Sequence, residues 1–216
     1  MRHQAVRNIT KFILPKPELD RRTYLQHSGL KGALMSFSEP PHRPDSLKRQ
    51  LEMARFDRAL EVSESMAAHR VLLTTAELAR LNNILTGKNT DPWRQAPVTI
   101  LLPSGEKETL QVLSDPIVTA RDKLHKATEL AEAGQVIDAA VDAYVGLVMA
   151  HVFEDANRRT AVLAAHYFLR RYGVPLSGIA LHEIGLGDLR APGQIEALRE
   201  TVHTMAKFAK KQKPAT

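Results

Sequence analysis

The sequence predicts an all-α domain interrupted by one small β-hairpin. Hydrophobic residues make up 44% of the 216 positions and aromatic residues only 5%, which suits a Leu/Ala/Val-packed helical domain better than a β-sandwich. Apolar residues recur at helical spacing in segment after segment. A single stretch, 98–112, breaks that spacing and reads as two short strands. A chain of this length can bury a real core, so one domain plus an extension is the natural organisation.

Residues 1–45 read as an N-terminal extension of unassigned function. PKP at 15–17 and PPHRP at 40–44 break any helix there, and the proline-rich part near 36–46 is a candidate regulatory segment. The domain is expected over 46–212. Asp45 is placed to cap a helix through SLKRQLEMARFDRALEV, with Leu47, Leu51, Ala54 and Leu60 roughly on one face. Thr74 and Glu77 have capping-box spacing before Leu78, Leu81 and Leu85, and Gly87 is the stop. VTILL (98–102), a PSGE turn and KETLQV (107–112) form the expected hairpin. An isolated hairpin is marginal in water, so it must pack on the helices, with an edge left free.

Helical signals resume at Ser114 or Asp115, with Pro116 in the first turn, and run to Gly134. The next helix, about 136–151, carries the stripe Ile137, Val141, Tyr144, Val145 and Val148, with Asp138 and Asp142 facing away. Another starts after Asn157 and runs to Tyr172, before the stop signals Gly173 and Pro175. A last one, about 192–210, has Ile195, Leu198, Val202, Met205 and Phe208 on one face and a basic, solvated end.

Composition removes several classes of function. Without cysteine there are no disulfides and no thiolate chemistry. No His/Cys/Asp cluster has zinc-ligand spacing. No apolar run approaches 18 residues, so no membrane partner is expected, and the first residues lack a signal peptide. A cytoplasmic location is expected, compatible with delivery into another cell by a secretion system. The formal charge of +6 favours an anionic partner. Charge by itself does not choose among a nucleotide, a nucleic acid and an acidic protein face. Nucleic acid is not expected: there is no convincing recognition helix and no interleaving of aromatic and basic residues.

The chemistry concentrates in HVFEDANRRTA, residues 151–161. His151 ends one helix, VFEDAN makes a turn, and Arg158 begins the next. A helix N-terminus behind a tight turn offers free N–H groups and a favourable dipole to an anion. Ala156 permits close approach, Asn157 offers an amide, and Arg158 and Arg159 add positive charge. Asp155, beside the anion, reads as a Mg²⁺ ligand. It could also cap the helix at 158, and the two roles compete for the same oxygens. His151, one turn away, suits a general base near neutral pH. Phe153 would plug the loop into the core. His166, His182, Tyr144, Tyr167 and Trp93 read as structural.

HVFEDANRR resembles the Fic/Doc family pattern His-x-Phe-x-Asp/Glu-Ala/Gly-Asn-Gly/Lys-Arg. The continuation RTAVLAAHYFLRRYGVPL looks like the Doc branch, and the resemblance extends over roughly 46–210. It implies a Fic/Doc (Fido) helical bundle with a small hairpin "flap". It implies Mg²⁺-dependent transfer of part of a nucleotide, with ATP as substrate, to a hydroxyl of a target protein. In that scheme His151 deprotonates the hydroxyl and Asp155 holds Mg²⁺. Asn157, Arg159 and the N–H groups around Ala156 bind phosphates. The flap (Val98, Thr99, Ile100, Leu101, Leu102) pairs with a target segment as an added strand.

Two positions depart from the adenylyltransferase pattern. Arg158 stands where those proteins have Gly and where Doc has Lys. Val162 stands where they have a second Arg, which Doc-type proteins also lack. Both favour Doc-like phosphate transfer, as in a toxin of a toxin–antitoxin pair, over the alternative of transferring AMP or another nucleotide group. No convincing inhibitory Ser/Thr-x-x-x-Glu-Gly/Asn helix is found. Ser104–Glu108 falls in the hairpin, and Thr128–Glu132 is followed by Ala133. Two sources of control stay open: a separate antitoxin or other inhibitory partner, and the proline-rich stretch near 36–46. A non-enzymatic binding module with a relic motif is the competing class, against which the intact His151, Asp155, Asn157 and Arg159 speak.

Overall fold

The computed structural model describes residues 47–102, 105–184 and 188–212. The extension 1–45, the Asp45 cap, residues 103–104 of the hairpin turn and the side chain of His182 lie outside that description. The architecture is α-helical with a two-stranded antiparallel hairpin, as the sequence predicts.

Helix α1 spans Leu47–Ala68, past the expected end near residue 62. It buries Phe56, Ala59, Ser63, Met66 and Ala67. Leu47 and Leu51 are 70% and 47% exposed, and Ala54 is exposed too, so the expected apolar face is corrected. The helix presents its C-terminal half to the core, and the early leucines lie beyond it.

Helix α2, Thr75–Thr86, forms as its caps dictate. The Thr74 hydroxyl accepts from the Glu77 N–H, and Gly87 closes the end at φ 69°. The return half of the capping box is replaced, because the Glu77 carboxylate pairs with Arg80 at 3.2 Å. Leu78, Leu81 and Leu85 are fully buried. A Cβ at Gly87 would also meet the Arg55 guanidinium, but that is the movable end of a long side chain, so the left-handed φ is what calls for glycine.

Strands β1 (Val98–Leu101) and β2 (Lys107–Leu110) pair with Val98 opposite Leu110 and Leu101 opposite Lys107. Both are shorter than expected. Leu102 falls in the turn, where its N–H donates to the Glu106 carbonyl. Helix α3 (Pro116–Glu132) is capped by the Asp115 carboxylate, which accepts from the Val118 N–H at 2.9 Å.

Helix α4 (Val136–Ala150) and helix α5 (Asn157–Arg171) form the centre. Every residue from Thr160 to Leu169 is buried, so α5 is an axis enclosed on all sides. Alanines and Val162 let α1, α2 and α4 approach it closely. Ser63 ties α1 to it by donating to the Leu163 carbonyl at 2.9 Å. Helix α6 (Ile179–Ile184), which the sequence pattern did not reveal, follows. Gly178 lets it approach, because a Cβ there would lie 2.4 Å from the His166 backbone nitrogen.

Helix α7 (Gln194–Gln212) closes the bundle against α4. Leu198, Val202 and Met205 are buried, while Phe208 is 42% exposed. Ala206 and Ala209 take the core positions instead, so the expected stripe is displaced at its last turn. Asp138 and Asp142 do not face solvent. Arg199 of α7 binds both, at 2.7 and 2.6 Å, and His203 adds a contact to Asp138. Desolvation pushes both carboxyls up, but Arg199 and His203 at Asp138, and Lys126 (2.7 Å) with Arg199 at Asp142, hold both below their ordinary pKa. Among the described residues no helix is long and apolar enough to cross a membrane.

Candidate active site

The turn between α4 and α5 is built by two residues forced into left-handed backbone. His151 closes α4 at φ 49°, its N–H donating to the Leu147 carbonyl. Ala156 precedes α5 at φ 57°. Left-handed geometry costs an L-residue about 1–2 kcal/mol, so neighbours must over-determine it. They do. The Glu154 N–H donates to the Pro92 carbonyl, and the Arg94 N–H donates to the Val152 carbonyl. The Phe153 ring stacks on Trp93 at 4.6 Å, both buried. The loop is thereby pinned to the segment leading into the hairpin.

Two asparagines complete the scaffold. Asn157 accepts from the Phe153 N–H at 2.9 Å and donates to the Phe153 carbonyl at 2.8 Å. The amide expected to meet an anion is therefore largely spent on shaping the loop, with one Nδ2 hydrogen left over. Asn82 of α2 donates to the Asp155 carbonyl at 2.9 Å and to the Thr160 hydroxyl at 3.0 Å. Sequence reasoning passed over Asn82, although a signal existed: a polar residue on the buried stripe of Leu78, Leu81 and Leu85.

The imidazole of His151 is oriented by its own helix. Nδ1 lies 2.9 Å from the Val148 carbonyl, which can only accept, so Nδ1 carries the hydrogen and Nε2 keeps its lone pair. Among the described residues Nε2 has no partner. Burial lowers the pKa of His151; the Val148 carbonyl opposes this, and Arg94, Arg190 and Arg158 lower it further. The ring is thus a neutral base with one free nitrogen.

Beyond it, the N–H groups of Asn157, Arg158 and Arg159 have no acceptor among the described residues; the Thr160 N–H is the first to bond within the helix, to the Ala156 carbonyl. Arg158 makes no ion pair among the described residues, and its charge acts on both His151 and Tyr144. The buried Tyr144 hydroxyl has no hydrogen-bond partner among the described residues. Arg159 is 3.9 Å from Asp155, a loose contact. Asp155 does not cap α5: the N-cap position is Ala156, without a side-chain bond. One Asp155 oxygen accepts from the Ala156 N–H, and the side chain is 63% exposed.

The donor set is suited to Mg²⁺ only in company. Among the described residues no three acidic or histidine side chains converge on a metal position. A lone exposed carboxylate fits a cation that draws its other ligands from phosphate and water.

The hairpin lies beside this turn. Arg94, buried and lowered in pKa by desolvation, donates from Nη1 to the Leu110 carbonyl of β2. Arg190 pairs with Glu108 of β2 at 2.6 Å. Neither arginine stood out in the sequence. Of the flap residues, Val98, Ile100 and Leu102 are half-buried, and Thr99 and Leu101 are exposed.

Residues 72–169 match the profile of the Fic/DOC family, a span that contains the hairpin, α4, the turn and most of α5. Two solved structures share the fold. One is a Fic domain containing signaling protein from Bacteroides thetaiotaomicron, 18% identical, with 99% of this chain and 98% of that chain covered at a TM-score of 0.57. The other is Fic-1 from C. elegans, 17% identical, with 97% of this chain and 68% of that chain covered at 0.59. At such identities the likeness is one of fold. No curated protein matches the chain.

Proposed function

We propose that this chain is a Fic/DOC-family transferase that moves a phosphate group from ATP to a hydroxyl of a target protein. The observation that carries the reading is the pairing of His151 with the turn. A neutral imidazole with a free Nε2 stands one turn from three unpaired N–H groups and two arginines. Nε2 takes the proton of the acceptor hydroxyl, whose oxygen attacks the γ-phosphorus, and ADP leaves. The amides at the start of α5 hold phosphate oxygens through hydrogen bonds that gain strength from the helix dipole. Asp155 would hold Mg²⁺, which supplies charge neutralisation on the phosphates when bound.

Phosphate rather than AMP transfer is favoured by what stands at two positions. Arg158 adds an unpaired cation where the adenylyltransferase pattern has Gly. Val162, where that pattern has Arg, is fully buried and offers nothing to a γ-phosphate. The target segment would add to the outer edge of β1, which carries no strand among the described residues. An antitoxin or other inhibitory partner fits the fate of the two candidate inhibitory glutamates among the described residues: Glu108 is paired with Arg190, and Glu132 is exposed.

The test uses the purified chain, a bacterial lysate, Mg²⁺ and ATP labelled on either the α- or the γ-phosphate, with His151→Ala alongside. A protein band from γ-label alone, absent in the variant, is expected. A band from α-label would transfer the reading to AMP.

A further inference from the structure

Arg94 is electrostatically out of place. It is 2% exposed, yet among the described residues it forms no ion pair, and its Nε has no hydrogen-bond partner. Burying a guanidinium without a carboxylate is unfavourable, so the fold gives up stability to keep it there. A packing role would be filled by Met or Leu without that penalty. Its bonds say what it joins. Nη1 holds the Leu110 carbonyl of β2 at 3.1 Å, and its own N–H holds the Val152 carbonyl, next to His151, at 2.9 Å. One residue thus grips the hairpin with its side chain and the catalytic loop with its backbone.

We propose that Arg94 is a positioning residue that ties β2 to the catalytic turn and makes the imidazole of His151 respond to movement of the hairpin. This rests on reading His151 as the base. The groups that face the ring are the Val148 carbonyl from α4, Arg158 from α5, Arg190 from the segment before α7, and Arg94. Arg190 is neutralised by Glu108. Arg94 has no such carboxylate among the described residues, and it is held by the hairpin backbone itself, at the Leu110 carbonyl, whereas Arg190 is held by the β2 side chain of Glu108. While the hairpin rests in this position, Arg94 opposes the imidazolium. A target strand that draws the hairpin outward carries Arg94 away and makes it easier for Nε2 to accept the hydroxyl proton. The base would gain proton affinity when an acceptor is seated.

The test is an NMR titration of the full chain without nucleotide. It follows the His151 Cε1–H resonance and the Arg94 Nε–H resonance together. The Arg94 signal is expected to shift with the His151 midpoint. Arg94→Met should raise that midpoint toward the ordinary histidine value of about 6.5, and Arg94→Lys, which keeps the charge, should restore most of the difference. An Arg94 signal indifferent to the His151 titration overturns the proposal, whether or not the Met variant folds. So does an unchanged midpoint in a folded Met variant. Failure of the labelling experiment would leave this result standing, and the reverse holds too.

Discussion

Two histidines on the central helices are buried alike and bonded differently, and the difference is what the proposed roles rest on. His151 at the end of α4 and His166 within α5 are both lowered in pKa, first by burial. Their hydrogen bonds differ. At His166 the Gly178 N–H donates to Nδ1 at 3.2 Å, which leaves the hydrogen on Nε2, facing Glu64 at 3.2 Å. Both nitrogens are engaged, and a carboxylate balances the ring. At His151 one nitrogen is engaged, the other has no partner among the described residues, and the charged groups there that act on the ring are the cations Arg94, Arg190 and Arg158. Desolvation alone therefore marks neither as functional. A free lone pair in a field set for an anion is what the proposed role of His151 rests on.

The largest expected effect tests that contrast. His151→Ala should lower the transfer rate by about 10²–10⁴-fold, the usual worth of a positioned base, with the melting temperature nearly unchanged. His166→Ala should do the opposite. It leaves the Gly178 N–H in the core without its acceptor, a loss of about 1–3 kcal/mol, while Glu64 keeps Arg170 at 3.6 Å. Urea unfolding would read it. If His151→Ala instead unfolded the chain while His166→Ala left stability untouched, the assignment of roles would be reversed.

A smaller effect concerns pH. Since His151 sits below its ordinary value, the rate limb governed by this base should lie below about pH 6.5, and kcat/KM should be flat from there to neutrality. For stability the sign is the same at both rings. Each native ring holds its proton less tightly than the unfolded chain does, so the unfolded state binds more protons as pH falls through about 6.5. Stability should be full above that value and decline below it until the native rings titrate. In His166→Ala the decline should be shallower; an unchanged slope would remove His166 from the account.

The smallest effect is at the bend between the two rings. Ala156→Gly relieves left-handed strain of about 1–2 kcal/mol but adds chain entropy worth about 0.5–1 kcal/mol. A net stabilisation of at most about 1 kcal/mol is expected, read as a slight rise in melting temperature. A fall would mean that the Cβ of Ala156, itself buried, packs usefully in the turn.

Local rules of the chain settled much of this molecule. The caps at Thr74, Gly87 and Asp115, the strand pairing at 98–101 and 107–110, and the crowding of His151, Asp155, Arg158 and Arg159 into one turn were legible because each depends on residues a few positions apart. The fold class followed from the same periodicity. Other features were decided only in three dimensions. Leu47 and Leu51 have the right spacing for a buried face and still lie outside it, because spacing fixes which residues share a side of a helix and not whether a neighbour covers that side. Asp138 and Asp142 looked solvated until Arg199, some 60 positions on, closed over them. Asn82 and Arg94 are bonded to the turn from distant segments, and Arg190 is held near it by Glu108 of β2, through contacts that no local pattern encodes. The sequence by itself determined which chemistry gathers around His151. The tertiary structure decided which nitrogen of that ring is free and which cations surround it, because tautomer and field are properties of neighbours in space.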